Sequence, residues 1–142
     1  MAVNEERVYR RGLHRIHGVL LAGTVPLFLG ALLSDYAYST SSQIQWSDFA
    51  SWLIAGGLVF AGFALLGAII NMGRADYRGP NSRLYMLLLL VTWVVGFIDA
   101  LMHAKDAWAM MPTGLVLSII VAILACVSTW IGFARFGVES EK

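Results

Sequence analysis

Charged residues are scarce in this chain. Asp, Glu, Lys and Arg make up 13% of its 142 residues, whereas they form about a quarter of a typical soluble domain. This shortage excludes an ordinary soluble domain, and the hydrophobic share of 58% indicates an integral membrane protein. The formal net charge is only +1, and no basic patch is present, so we expect no nucleic-acid partner.

Cysteine and the common catalytic motifs are also lacking. Cys126 is the single cysteine, which excludes a disulfide within the chain. The sequence contains no G-x-S-x-G, H-E-x-x-H, P-loop or C-x-x-C pattern. Short connections between the apolar runs leave no room for a soluble catalytic domain. The sequence therefore favours a protein that is not catalytic by itself.

Long apolar runs dominate what is present. Each of four runs is long enough to cross about 30 Å of hydrocarbon as a helix. We predict an all-α fold, an up-down four-helix transmembrane bundle that forms a single transmembrane domain over residues 1–142 and contacts the lipid bilayer. The predicted spans are about 17–36, 49–72, 84–103 and 112–133, and the Ser, Thr and Gln residues between the first two predict a loop.

The distribution of basic residues predicts the orientation of these spans. Of the 10 Lys and Arg residues, Lys105 alone falls on one side of the predicted bundle. Because Lys and Arg in short connections favour the cytoplasm, we expect both termini there, in a multi-pass protein of the bacterial inner membrane. Tyr85 and Trp130 are then expected at the inner interface, which amphipathic rings prefer.

Ionisable residues collect at the outer ends of the first and third spans. Asp99 and His103 are four residues apart and share one helix face, and Asp35 ends the first span at a similar depth. Ionisable side chains at such depth suggest a functional site. Two carboxylates and an imidazole could hold a metal, pass a proton or fix an outer partner. In the alternative interpretation, Asp99 only pairs with His103 or Lys105 at the interface.

A second group of candidate ligands lies at the inner mouth of the first span. His14 and His17 are three residues apart and therefore on one face. Because membrane haems are held by axial side chains such as histidine, these two residues suggest a b-type haem or a quinone site. His103 lies at the opposite end of the bundle, so His17 and His103 cannot share one haem.

The second predicted span is rich in small residues. Small residues recur there at three- and four-residue spacings: Gly56, Gly57, Ala61, Gly62, Ala64, Gly67 and Ala68. In lipid, such residues let helix backbones approach closely. This stripe predicts either tight packing within the chain or contact between copies in a homo-oligomer.

Three segments carry a resemblance to a known family: HGVLLAGTVPLFLGALLSD, SWLIAGGLVFAGFALLGAIIN and FIDALMHAKDAW. They resemble a bacterial inner-membrane family of unknown function with four spans, whose members open on a His-Pro-led apolar stretch. Gly18 stands where many members have proline. The matching site positions are His17, Asp35, Asp99 and His103. The resemblance implies a small, cytochrome-like membrane bundle, sometimes encoded near periplasmic oxidoreductase modules.

Two functions therefore remain open. The first is a membrane anchor or assembly partner of a membrane or periplasmic redox complex. The second is an electron-transfer subunit with b-type haem or quinone at His17 and His14, or a metal-binding protein with Asp35, Asp99 and His103 as ligands.

Overall fold

The described chain is helical apart from short turns. A computed structural model describes residues 2–73 and 80–140, with side chains over 15–73 and 81–135. Within these residues there is no strand. The helices are α1 (Ala2–Ser41), α2 (Ile44–Met72), α3 (Pro80–His103), α4 (Ala107–Met110) and α5 (Thr113–Ser140).

Four stretches of the described helices are long and apolar enough to cross a membrane. Large hydrophobic side chains cover their outer surfaces, as expected where lipid replaces water; Val19, Phe63 and Ile123 are examples, each more than half exposed. The predicted all-α membrane fold is thereby confirmed. The four stretches are Arg15–Ser41, Ile44–Met72, Asn81–His103 and Thr113–Arg135.

The long helices pack in a ring. α1 contacts α2 and α5, and α3 also contacts α2 and α5, so α1 and α3 lie diagonally across the bundle. Two apolar layers fill the interior. The first contains Leu21, Ala64, Leu65, Ala68, Tyr85 and Leu89. The second contains Phe28, Ala31, Ile54, Ala61, Val121 and Ala125.

Small residues in α2 make room for large side chains of α1. The ring of Phe28 lies 2.8 Å from where a Cβ atom of Gly57 would be. A side chain larger than that of glycine at position 57 would therefore force the Phe28 ring or the helices to shift. The small-residue stripe of α2 therefore serves helix packing within the chain at this point.

The turn between α1 and α2 is shorter than the loop predicted over residues 37–48. α1 continues to Ser41 and α2 begins at Ile44, so only Ser42 and Gln43 connect them. Three hydroxyl side chains at the end of α1 donate hydrogen bonds to main-chain carbonyls one turn earlier, which keeps this polar segment helical. Ser42 then turns the chain with a φ of 55°.

Candidate functional site

Four polar side chains meet inside one end of the bundle. Asp35 comes from α1, Asp99 and His103 come from the last turns of α3, and Ser118 comes from the first turns of α5. Asp35 and Asp99 are 0% exposed and His103 is 8% exposed. We refer to these four residues as the acid–imidazole cluster. The structure thus brings together the three residues singled out from the sequence and adds Ser118, which the sequence analysis missed.

His103 lies between the two acids. Its Nε2 atom is 2.8 Å from Oδ1 of Asp35, and its Nδ1 atom is 2.9 Å from the main-chain oxygen of Asp99. Because a carbonyl oxygen can only accept, Nδ1 carries a hydrogen and donates it. A second hydrogen lies between Nε2 and Asp35, on one or the other. His103 is therefore held by hydrogen bonds at both nitrogens.

Ser118 bridges the two acids. Its hydroxyl donates to Oδ2 of Asp35 and lies 3.0 Å from Oδ2 of Asp99. A hydroxyl has one hydrogen to donate and lone pairs with which to accept. Ser118 can therefore donate its hydrogen to only one acid, Asp35. The contact with Asp99 is a hydrogen bond if Asp99 carries a hydrogen and donates it to the Ser118 oxygen.

One buried oxygen of Asp99 is left without a donor. Among the described residues, Oδ1 of Asp99 has no hydrogen-bond partner. Nδ1 of His103 is 3.2 Å away, but its hydrogen points to the main-chain oxygen. A buried charged acceptor without a donor is costly, and a proton on Asp99 would remove that charge. The acid–imidazole cluster thus has a place for one further hydrogen.

The same geometry does not fit a bound metal as the side chains stand. Among the described residues, no group of three or more His, Cys, Asp or Glu is placed to hold a metal ion. Both nitrogens of His103 are engaged by hydrogen-bond partners, so the ring offers no free lone pair to a metal in this arrangement. The metal role of Asp35, Asp99 and His103 stays a prediction.

Lys105 was the alternative partner for Asp99. It follows the end of α3 and is exposed, whereas the imidazole of His103 lies beside the Asp99 carboxylate. The partner of Asp99 in the structure is therefore His103, inside the bundle, and not Lys105 at the surface.

His17 lies at the other end of the bundle, again between α1 and α3. Its Nε2 atom is 2.7 Å from the hydroxyl oxygen of Tyr85. Tyr85 lies near the start of α3, and its side chain is buried with its hydroxyl against His17; its predicted place at the inner interface stays a prediction. The guanidinium of Arg135 lies 5.2 Å from the centre of the Tyr85 ring. The side chain of His14, the other predicted haem ligand, lies outside the described residues.

The surroundings of His17 do not fit an axial haem ligand in this arrangement. Its Nε2 atom is engaged by Tyr85, and a Cβ atom at Gly67 would lie 3.0 Å from Nδ1. The imidazole is therefore enclosed by α2 and α3. Iron could reach Nε2 only if Tyr85 moved away.

The two polar ends are separated along the bundle. Thr92 and Ser128 are 3.1 Å apart between α3 and α5, and Thr24 donates to the main-chain oxygen of Leu21. The second apolar layer, with Phe28 and Val121, lies between these hydroxyls and the acid–imidazole cluster. The cluster is thus a local site at one end.

A helical bundle of this kind, with a buried acid–imidazole cluster at one end of its spans, defines a multi-pass integral membrane protein. The model of the family described as "Predicted membrane protein (DUF2231)" matches residues 13–139. The chain belongs to this family, which confirms the membrane family of unknown function indicated by the sequence. No curated protein and no solved structure matches the chain.

Proposed function

We propose that this chain is a small, non-catalytic subunit of the bacterial inner membrane that binds a proton at the acid–imidazole cluster. In this proposal its single transmembrane domain anchors or assembles with a membrane or periplasmic redox complex. The supporting observation is the buried Oδ1 atom of Asp99, which has no hydrogen-bond partner among the described residues. Ionisable residues inside membrane spans are costly and commonly mark proton relays.

The order of contacts within the cluster supports movement of a proton between the acids. His103 contacts Asp35, Asp35 contacts Ser118, and Ser118 contacts Asp99. If Asp99 donates its proton to the Ser118 oxygen, the hydroxyl hydrogen of Ser118 passes to Asp35. The charge then moves from one acid to the other while every heavy atom keeps its place.

The position of the cluster supports proton exchange on the outer side. Asp35 and His103 lie far along α1 and α3 from Arg15 and Arg83, near the start of each span. With basic segments and both termini in the cytoplasm, the cluster faces the periplasmic side of the membrane. A partner that consumes or releases protons would contact this end.

Infrared spectroscopy of the full chain in mild detergent tests the proposal. We expect the carbonyl band of a carboxylic acid that appears and disappears as pH is changed. Asp99→Asn should remove this band. Asp106→Asn should keep it, because Asp106 is exposed just after α3 at the same end of the bundle. Circular dichroism verifies that both variants remain helical.

Two results would overturn the proposal. A spectrum in which Asp99→Asn leaves every titrating carboxylic-acid band in place would exclude the cluster as the proton site. If the purified protein contained a metal that was lost in His103→Ala, the cluster would be the predicted metal site and not a proton site. An absorption spectrum is recorded in parallel, since a Soret band lost in His17→Ala would instead support electron transfer through haem.

A further inference from the structure

A groove runs along the lipid-facing side of α1 and α5. Its volume is about 500 Å³. Trp130, in its wall, is 80% exposed, and Cys126 is also exposed. The lining residues are Val25 of α1 and Cys126, Thr129, Trp130, Phe133 and Ala134 of α5. We refer to this feature as the α1–α5 groove.

The lining of the α1–α5 groove suits a hydrocarbon chain. Five of its six lining residues have no hydroxyl, amide or charged group. The sixth, Thr129, donates its hydroxyl hydrogen to the main-chain oxygen of Leu21 at 3.2 Å. The groove therefore offers mainly apolar contact, and its hydrogen-bond donor besides Thr129 is the indole N–H of Trp130. From Cys126 to Phe133 a helix rises about 10 Å, the length of a segment of one acyl chain.

A cation lies where this groove approaches the end of the span. Arg15, Gly18, Ala22 and Val25 are spaced by three or four residues and share one face of α1. A Cβ atom at Gly18 would lie 3.5 Å from the Phe133 ring, so this face is the one turned toward the groove. Arg15 is exposed and begins the described span. Its charge is therefore at headgroup depth beside the groove.

We propose that the α1–α5 groove binds an anionic phospholipid. One acyl chain lies between Val25 and Phe133, and the headgroup phosphate pairs with Arg15. The apolar groove does not distinguish between lipids with the same acyl chains. The preference for an anionic headgroup over a zwitterionic one therefore comes from Arg15. Basic side chains beside transmembrane helices recognise anionic headgroups in this way. This site is separate from the acid–imidazole cluster and does not depend on the proposed proton binding.

Lipid retention by the full chain tests the proposal. The purified protein in mild detergent is mixed with equal amounts of phosphatidylglycerol and phosphatidylcholine of identical chains, and bound lipids are counted by native mass spectrometry. We expect the protein to retain phosphatidylglycerol about fivefold over phosphatidylcholine. Arg15→Gln should abolish this preference. Arg83→Gln is the matched control, because Arg83 is exposed near the start of α3, diagonal to α1, and should keep it.

A second variant tests the groove itself. Ala22→Trp places a large ring on the groove-facing side of α1 at an exposed position, so the bundle should still fold. We expect this variant to lose retention of both lipids. Equal retention of the two lipids by the unaltered chain, or an equal loss of preference in Arg15→Gln and Arg83→Gln, would overturn the proposal. Efficient oxidative crosslinking through Cys126 without lipid adducts would also overturn it, since a second copy would then cover the groove.

Discussion

At the scale of single residues, His103 is the side chain that holds the acid–imidazole cluster together. It is the only base in the cluster, and it contacts Asp35 through Nε2 and Asp99 through Nδ1. Without the imidazole, two buried acids would face each other across Ser118. Removing one partner of a buried ionic contact is costly because the remaining charge stays buried and unpaired.

His103→Ala should therefore lower the free energy of unfolding by about 3–5 kcal/mol, whereas Lys105→Ala should leave it nearly unchanged because Lys105 is exposed. Asp99→Asn should keep the folded yield but abolish proton binding, since an amide fills the same space without titrating. Unfolding in mild detergent, followed by circular dichroism, and the infrared titration measure the two effects. Equal and mild effects of all three substitutions would mean that Asp99 and His103 are only interface charges.

The residues of the cluster differ in how far the sequence reveals them. Asp35, Asp99 and His103 stand out because ionisable groups are rare in apolar runs. Ser118 does not, because a serine inside a span is usually a packing residue. Its role depends on the alignment of α5 with α1, which sequence spacing does not determine. One signal could have identified Ser118: it is a hydroxyl residue near the outer end of the last span, where the predicted topology also places Asp35.

At the scale of helices, adjacent glycines of α2 have different surroundings. A Cβ atom at Gly57 would lie 2.8 Å from the buried Phe28 ring, whereas one at Gly56 would lie 3.5 Å from Leu27, an ordinary contact. The two positions share one helix and differ mainly in the face on which they lie. They therefore provide a matched test of the α1–α2 packing.

Gly57→Ala should destabilise the bundle by about 1–3 kcal/mol, the usual cost of overpacking an interior site. Gly56→Ala should change stability little, because its methyl group finds space and alanine is the better helix former. Thermal unfolding of both variants in the same detergent measures the difference. Similar midpoints for the two variants would show that Phe28 moves aside freely and that α2 packs loosely there.

Helix ends were harder to predict than helix cores. The apolar runs identify each membrane-capable helix of the described residues, because hydrophobic length is a strong constraint in lipid. The segment after Tyr36 is polar and reads as a loop, yet it continues α1 to Ser41. Serine and threonine can either leave a helix or hydrogen-bond to its carbonyls. Composition alone does not distinguish these two outcomes.

At the scale of the whole molecule, α1 and α3 are joined at both ends. His17 contacts Tyr85 and Asp35 contacts His103, and each pair is 68 residues apart in sequence. Along α1 the two contacts are separated by about 27 Å. α1 and α3 lie diagonally in the ring, so they are not packed side by side. The two polar pairs therefore connect helices that are not neighbours in the bundle.

Double-mutant cycles should separate these two connections. His17→Ala combined with Tyr85→Phe should be non-additive by about 0.5–3 kcal/mol, because the two residues share one hydrogen bond. His17→Ala combined with His103→Ala should be additive within about 0.5 kcal/mol, because the sites are distant. Free energies of unfolding of the single and double variants provide the measurement. Strong coupling between the distant pair would show that the two ends form one cooperative unit.

The contact between Asp35 and His103 also has a consequence for how the protein is made. The ribosome must add 68 residues after Asp35 before His103 exists, which takes roughly 3–14 s at the usual rate of synthesis. The first span therefore contains an acid in its apolar run before its basic partner has been made. A charged side chain is costly within lipid. Asp35 is therefore expected to stay near water until α3 is inserted and brings His103 beside it.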